Sequence, residues 1–246
     1  MTRFPFGIKL QKTCLLCHDS SCSAVCADCL DDLAVSALDP SAVCPRCGGK
    51  GDGATACGAC QKKPPPFEKL WSSVYYEPPV SGVLHAFKHQ GVRNLAPVLA
   101  ELMCRLQPSW LGDVPIDAVM AVPLSRERRW QRGFNQCDEL AEHLAAAYGW
   151  ETIPFDTVCR RHRPPQSTLV RKARRQNLKN SFYLAERQGW KQYFRRRFDV
   201  KNRNLLLIDD VCTTNATLEE LARTLRRAGV ARIFCWTLAR AGMQKF

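Results

Sequence analysis

Four Cys-x-x-Cys pairs, Cys14/Cys17, Cys26/Cys29, Cys44/Cys47 and Cys57/Cys60, fall within the first quarter of this 246-residue chain. Each pair closes a tight turn that aims two sulfurs at one point, and two such turns supply the four soft ligands of a tetrahedral Zn²⁺ site. Four turns therefore predict two structural Zn²⁺ ions. The spacings favour sequential sets, Cys14, Cys17, Cys26 and Cys29 for one ion and Cys44, Cys47, Cys57 and Cys60 for the other, with a cross-braced arrangement left open. Redox pairs are the alternative, but that chemistry expects one motif at a helix start rather than four in series. Residues 14–60 lack the hydrophobic periodicity to bury a core of their own, so metal is expected to take its place. Cys22 reads as a bystander, and Cys104, Cys137, Cys159, Cys212 and Cys235 as small apolar fillers.

Lys62-Lys63 and the run Pro64-Pro65-Pro66 end this segment, since consecutive prolines neither continue a helix nor pair in a sheet. The boundary expected there divides the chain into a cysteine module with its linker, 1–66, and a larger domain, 67–246. Beyond it, strand-like stretches at 70–76, 117–122, 205–208 and 232–238 interleave with helix-like stretches at 95–106, 135–148 and 217–228. That alternation predicts an α/β fold, a mostly parallel sheet with flanking helices. A hydrophobic fraction of 46% with 24% charged residues excludes wholesale disorder and collagen-like repetition. No stretch approaches the roughly 18 apolar residues of a transmembrane helix, and the expected location is cytoplasmic.

The motif richest in chemistry is Leu205-Leu206-Leu207-Ile208-Asp209-Asp210-Val211-Cys212-Thr213-Thr214-Asn215-Ala216-Thr217. A buried strand runs into two carboxylates and then into a hydroxyl-rich turn that opens a helix. Unpaired amides and the positive dipole end at a helix start hold phosphate. Carboxylates beside such a site must face something else, such as sugar hydroxyls or a divalent cation. A phosphorylated sugar satisfies both halves. The loop lacks a P-loop lysine and the chain has no G-x-G-x-x-G, which disfavours nucleoside triphosphatases and dinucleotide enzymes.

These thirteen residues resemble the phosphoribosyl-pyrophosphate (PRPP) loop of type I phosphoribosyltransferases. The resemblance implies that Asp209 and Asp210 bind the ribose hydroxyls and that Thr213, Thr214, Asn215, Ala216 and Thr217 bind the 5′-phosphate, with Mg²⁺ accompanying PRPP. Asn215 stands where that family usually has glycine; Asn is the next most tolerant residue for a left-handed backbone. More widely, the cysteine turns, Ala86-Phe87-Lys88-His89-Gln90-Gly91, Val122-Pro123-Leu124, Arg132-Gly133-Phe134-Asn135-Gln136 and Gln166 with Arg174 and Asn177 are similar to the ComF proteins. The resemblance implies a small zinc-ribbon-like module before a phosphoribosyltransferase-like domain, a role in natural competence and DNA utilisation, and other proteins of the DNA-uptake machinery as partners.

Expelling pyrophosphate requires cations around the leaving group. Ser125, Arg126, Arg129 and Arg132 follow a strand end and suit that task, and Lys88 matches the family's basic residue after its first helix. A solvated charge run is the plainer view of 126–132, although Gly133 and the amides of Asn135 and Gln136 speak against a simple surface helix there. The isolated histidines His85, His89, His143 and His162 carry no evident chemistry.

The formal net charge of +13 is concentrated in residues 159–203, which hold 15 basic and 2 acidic side chains. Arg160, Arg161, Arg171, Lys172, Arg174, Arg175, Lys179, Arg195, Arg196 and Arg197 alternate there with Phe182, Tyr183, Trp190, Tyr193, Phe194 and Phe198. Cations track a phosphate backbone and aromatic faces stack on unpaired bases, so the expected partner is single-stranded DNA. The alternative is a solvated face with Phe182 and Tyr183 in the core. Two other functions stay open: an amidophosphoribosyltransferase-like enzyme acting on a small base or amine, and a non-catalytic zinc-ribbon nucleic-acid adaptor.

Overall fold

A computed structural model describes residues 12–21, 23–162, 180–185 and 198–243. In chain order, β1 (Lys12–Thr13), β2 (Ser20–Ser21), α1 (Ala27–Ala34) and α2 (Gly58–Lys62) carry the cysteine turns. Then come β3 (Lys69–Tyr75), α3 (Val80–His89), α4 (Ala96–Arg105), β4 (Ala118–Ala121), α5 (Arg126–Arg132), α6 (Gln136–Tyr148) and β5 (Glu151–Thr152). A small antiparallel hairpin of β6 (Val158–Arg160) and β7 (Phe182–Leu184) precedes β8 (Asn204–Cys212), α7 (Ala216–Arg227) and β9 (Arg232–Arg240).

The central sheet has the order β3-β9-β8-β4-β5, with every neighbouring pair parallel. Both faces are buried, and the period of two along the strands divides the core. Leu206, Ile208, Phe234 and Trp236 pack with Leu84, Phe87, Leu99 and Leu140 from α3, α4 and α6. Leu205, Leu207, Ile233 and Cys235 pack with Leu218, Leu221 and Leu225 from α7. The two buried serines of β3 are satisfied: Ser72 and Thr237 pair at 2.7 Å, and Trp236 Nε1 donates to Ser73 Oγ at 2.9 Å. These side-chain bonds join β3 and β9 beyond their backbone ladder.

From β8 the chain returns through α7 to β9 on one side, whereas β4 continues through α5 and α6 to β5 on the other. The connections diverge between β8 and β4, so a crevice opens at their carboxyl ends, the usual ligand position in open α/β sheets. Asp209 and Asp210 stand at that end of β8. The strand is longer than the stretch 205–208 read from hydrophobicity, because the ladder with β9 continues through the acids to Cys212.

The cysteine segment is tied to the sheet. Leu30 and Leu33 of α1 enter the α3/α4 core, and Ala37 bridges Val74 while Tyr75 N–H donates to Ser36 O at 2.7 Å and Leu38 N–H to Ser73 O at 3.0 Å. This stretch covers the open edge of β3. Gly48, at φ +59°, packs so closely that a Cβ there would lie 2.7 Å from Leu70 Cδ2. Among the described residues no helix is long and apolar enough to cross a membrane.

Candidate functional site

The thiols gather in the sequential sets, Cys14, Cys17, Cys26 and Cys29, and Cys44, Cys47, Cys57 and Cys60, with ligand atoms in each within 4.8 Å of one another. A tetrahedron with arms of about 2.3 Å has edges of about 3.8 Å. The Cys17–Cys26 and Cys47–Cys57 sulfurs lie 3.7 and 3.8 Å apart. The two donor sets could each hold a structural zinc ion. Within each set one thiol is prepared as thiolate: burial raises Cys14, but N–H groups of Cys17, Cys26 and Leu16 outweigh it and bring the thiol down to about 6. Cys44 is likewise raised by burial and lowered further, to about 7, by the amides of Cys57, Cys47 and Arg46.

The second cluster is the acid pair. Alternation along β8 turns Asp210 toward the face covered by α3 and α6. There Lys88 Nζ lies 2.9 Å from Asp210 Oδ1, and Gln136 Nε2 donates to Oδ2 at 2.5 Å. Arg132 Nη1 in turn donates to Gln136 Oε1 at 2.5 Å, which completes a chain from two cations to one carboxylate. Asp209 Oδ1 accepts from the Asp210 amide at 2.9 Å and from Cys137 Sγ at 3.4 Å. Its Oδ2 has no hydrogen-bond partner among the described residues. Burial and the neighbouring Asp210 charge push the Asp209 carboxyl up to about 7. Two crowded carboxylates, one with an open oxygen, make a site for hydroxyl donors or a cation.

The turn after them opens α7. Asn215 takes the left-handed conformation, φ +61°, that glycine usually supplies. It occupies the N-cap position, yet its side chain makes no capping bond. By contrast, Ser125 caps α5 through Arg128 N–H and Asn135 caps α6 through Cys137 N–H. The first amides of α7 thus stay available to an anion. The Thr213, Thr214 and Thr217 hydroxyls have no partner among the described residues, and Thr213 is exposed. Behind the turn, Arg240 is 6% exposed; its Nη1 donates to Asn215 Oδ1 at 2.5 Å and lies 3.1 Å from Cys212 Sγ. No carboxylate neutralises it among the described residues, so its charge adds to the positive potential under the turn.

The structure therefore brings Lys88 and Arg132 to the acids but engages the other predicted cations elsewhere. Arg129 is 2.5 Å from Asp138 and stacks over Phe155 at 4.5 Å. Arg126 is exposed on α5, and Ser125 caps that helix with its Oγ 3.3 Å from His162 Nδ1. The segment 126–132 forms α5, closed by Gly133 at φ +81°; Arg126 and Arg128 are exposed on it, whereas Arg129 and Arg132 are half-buried. Of the presumed filler cysteines, Cys137 faces Asp209 and Cys212 contacts Asn215, because both stand at strand or helix ends that border the crevice. Three of the four histidines have ring or polar neighbours: His85 and His89 lie 4.9 Å apart, and His162 is 3.3 Å from Glu127.

Of the ten basic residues expected to meet DNA, Arg160 and Arg161 are described. Arg160 lies over Phe182, which is buried in the core, and Arg161 lies over the exposed Tyr183 at 4.8 Å. Arg171, Lys172, Arg174, Arg175, Lys179, Arg195, Arg196 and Arg197 lie outside the described residues, as do Gln166 and Asn177. Sequence reasoning missed Trp130, which is 88% exposed on α5 among arginines. It also missed Arg240, which ends β9 two residues beyond the stretch 232–238.

Residues 131–245 match the phosphoribosyl transferase domain family. The DNA utilization protein YhgH of Salmonella typhi is 34% identical over 204 residues, covering 80% of this chain and 84% of its own. Competence protein F of Haemophilus influenzae is 36% identical over 192 residues, covering 75% and 78%. Competence protein ComFC of Bacillus subtilis is 33% identical over 129 residues, 50% of this chain and 44% of its own. With identity above 30% along more than three-quarters of YhgH and of competence protein F, this chain belongs to the ComF family.

Proposed function

We propose that the protein binds PRPP, accompanied by Mg²⁺, at residues 209–217, and single-stranded DNA on the adjoining basic and aromatic face, as part of DNA uptake and utilisation. The observation that carries the first half is the Lys88–Asp210–Gln136 network beside an uncapped helix start. The open Oδ2 of Asp209 accepts from ribose hydroxyls, while the α7 amides and the threonine hydroxyls donate to the 5′-phosphate. Lys88 and Arg132 stand on the side where negative charge gathers, and bound Mg²⁺ would neutralise pyrophosphate. The carboxylates of Asp209 and Asp210 suit such a cation because they repel each other in its absence. The cysteine module, 1–66, acts as a zinc-stapled support for the domain at 67–246. Isothermal titration of the purified protein with Mg²⁺ and PRPP tests this: saturable binding is expected, and heat no greater than that of dilution contradicts it.

For the DNA half, Trp130, Phe155 and Tyr183 are exposed, and the latter two lie under Arg129 and Arg161. Base stacking on an aromatic face contributes about 1–3 kcal/mol. Trp130→Ala is therefore expected to weaken binding of a short labelled single strand by roughly 5- to 100-fold. The thermal midpoint should not move, since the side chain is 88% exposed. Fluorescence anisotropy at 50 and 200 mM salt checks both the loss and the steep salt dependence that phosphate contacts impose. Charge reversal of Arg195, Arg196 and Arg197 in the same assay separates their contribution; unchanged affinity assigns that run to a solvated face.

A further inference from the structure

The most unusual contact of the phosphate turn reaches across 168 residues to the second cysteine set: Asn215 Nδ2 donates to the backbone carbonyl of Cys47 at 2.9 Å. The other end of the same amide accepts from Arg240 Nη1 at 2.5 Å and from Cys212 Sγ at 2.9 Å. Its orientation is dictated by its neighbours, because a guanidinium only donates and a carbonyl only accepts. Asn215 is 8% exposed, and Arg240 Nε is already without a partner. A glycine would adopt the same left-handed backbone, but it would leave the Cys47 carbonyl and Arg240 Nη1 without these partners. Just past the Cys44–Cys47 turn the backbone also comes close to Arg240: a Cβ on Gly49 would lie 3.6 Å from Nη2.

We propose that Asn215 is a positioning residue that joins the second cysteine set to the phosphate turn. Metal held by Cys44, Cys47, Cys57 and Cys60 and ligand held by residues 209–217 then stabilise one another. The inference rests on the PRPP assignment of that turn. The physical link is short. Metal fixes the Cys44–Cys47 turn, the turn fixes the Cys47 carbonyl, and the carbonyl fixes the Asn215 side chain, which leaves the α7 amides uncapped and facing the ligand. Linkage makes the effect reciprocal: ligand that orders the turn must tighten metal in the second set by the same factor by which that metal tightens the ligand, and metal held more tightly is expected to leave more slowly. The first set makes no such contact among the described residues, so it provides an internal control.

The test follows metal release from the zinc-loaded protein to a chromogenic chelator, with and without saturating Mg²⁺ and PRPP, after binding has been measured by titration. The release phase of the first set is the one lost in Cys17→Ser, whose side chain is exposed. In the wild type, ligand is expected to slow the second phase by about 5-fold or more, a coupling of ordinary size. In Asn215→Gly, which keeps the backbone conformation, and in Asn215→Asp, which turns an oxygen toward the Cys47 carbonyl, this protection should vanish while the first phase is unchanged. Protection of equal size in wild type and both variants, or ligand binding without protection in the wild type, overturns the link and leaves the PRPP assignment standing. Absence of PRPP binding to the wild type removes both.

Discussion

Asp209→Asn and Asp210→Asn are each expected to weaken PRPP binding by about 10- to 100-fold, the loss of a charged hydrogen bond, and together by more than 100-fold. Their effects on stability should have opposite signs. The Asp209 carboxyl is raised from 3.8 to about 7 by burial and by Asp210. Its proton is bound more tightly in the folded than in the unfolded chain, so the stabilisation it brings is full below about pH 3.8 and is lost as pH rises through 7. At pH 8 the wild type holds two crowded charges, and Asp209→Asn is more stable than it by something on the order of 1–2 kcal/mol, discounted for partial exposure. The advantage should shrink on acidification toward pH 4. Asp210→Asn instead leaves Lys88, with 18% side-chain exposure, without its counter-ion, and should cost about 2–3 kcal/mol. Denaturant melts at pH 5 and pH 8, set beside titrations of the same variants, check the division; equal shifts for both variants contradict the described network.

Removal of metal should be the most damaging treatment. Structural zinc contributes on the order of 10 kcal/mol to small modules that cannot fold without it. Here the consequences extend into the sheet, because residues 36–38 cover the edge of β3 and Leu70 N–H donates to Arg46 O at 3.0 Å. A loss of about 5 kcal/mol already lowers the melting midpoint of a chain this size by about 10 °C. Exhaustive chelation should therefore lower it by at least that much, and elemental analysis of untreated protein should give two zinc ions per chain. An unchanged melt, or less than one ion per chain after gentle purification, contradicts the two-site account.

The strands and long helices were legible because their signal is local. The unbroken apolar run Leu205 to Ile208 and the spacing of Leu140 and Leu144 report burial directly. A short polar element leaves no such signal: α5 buries no side chain. The helical spacing of Val80, Val83, Leu84 and Phe87 is present in α3, but it spans only ten residues. The cysteine sets were legible because metal-ligand spacing is itself a local rule. The acid pair was legible by motif, but its surroundings were not. Gln136 meets Asp210 across 74 residues and Asn215 meets Cys47 across 168, and no local pattern announces such contacts. Asn215 shows both sides of this: its tolerance of positive φ could be read from residue type, whereas the use of its amide required the fold.

The central claim is that a sugar phosphate sits between the carboxylates of β8 and the first amides of α7. Hydrogen exchange of the wild-type protein, resolved to short peptides, measures this with and without Mg²⁺ and PRPP. The account predicts that ligand slows exchange in the peptide spanning 209–217, with smaller protection around Lys88 and Gln136. Ligand binding that leaves 209–217 unprotected while another region slows would contradict it.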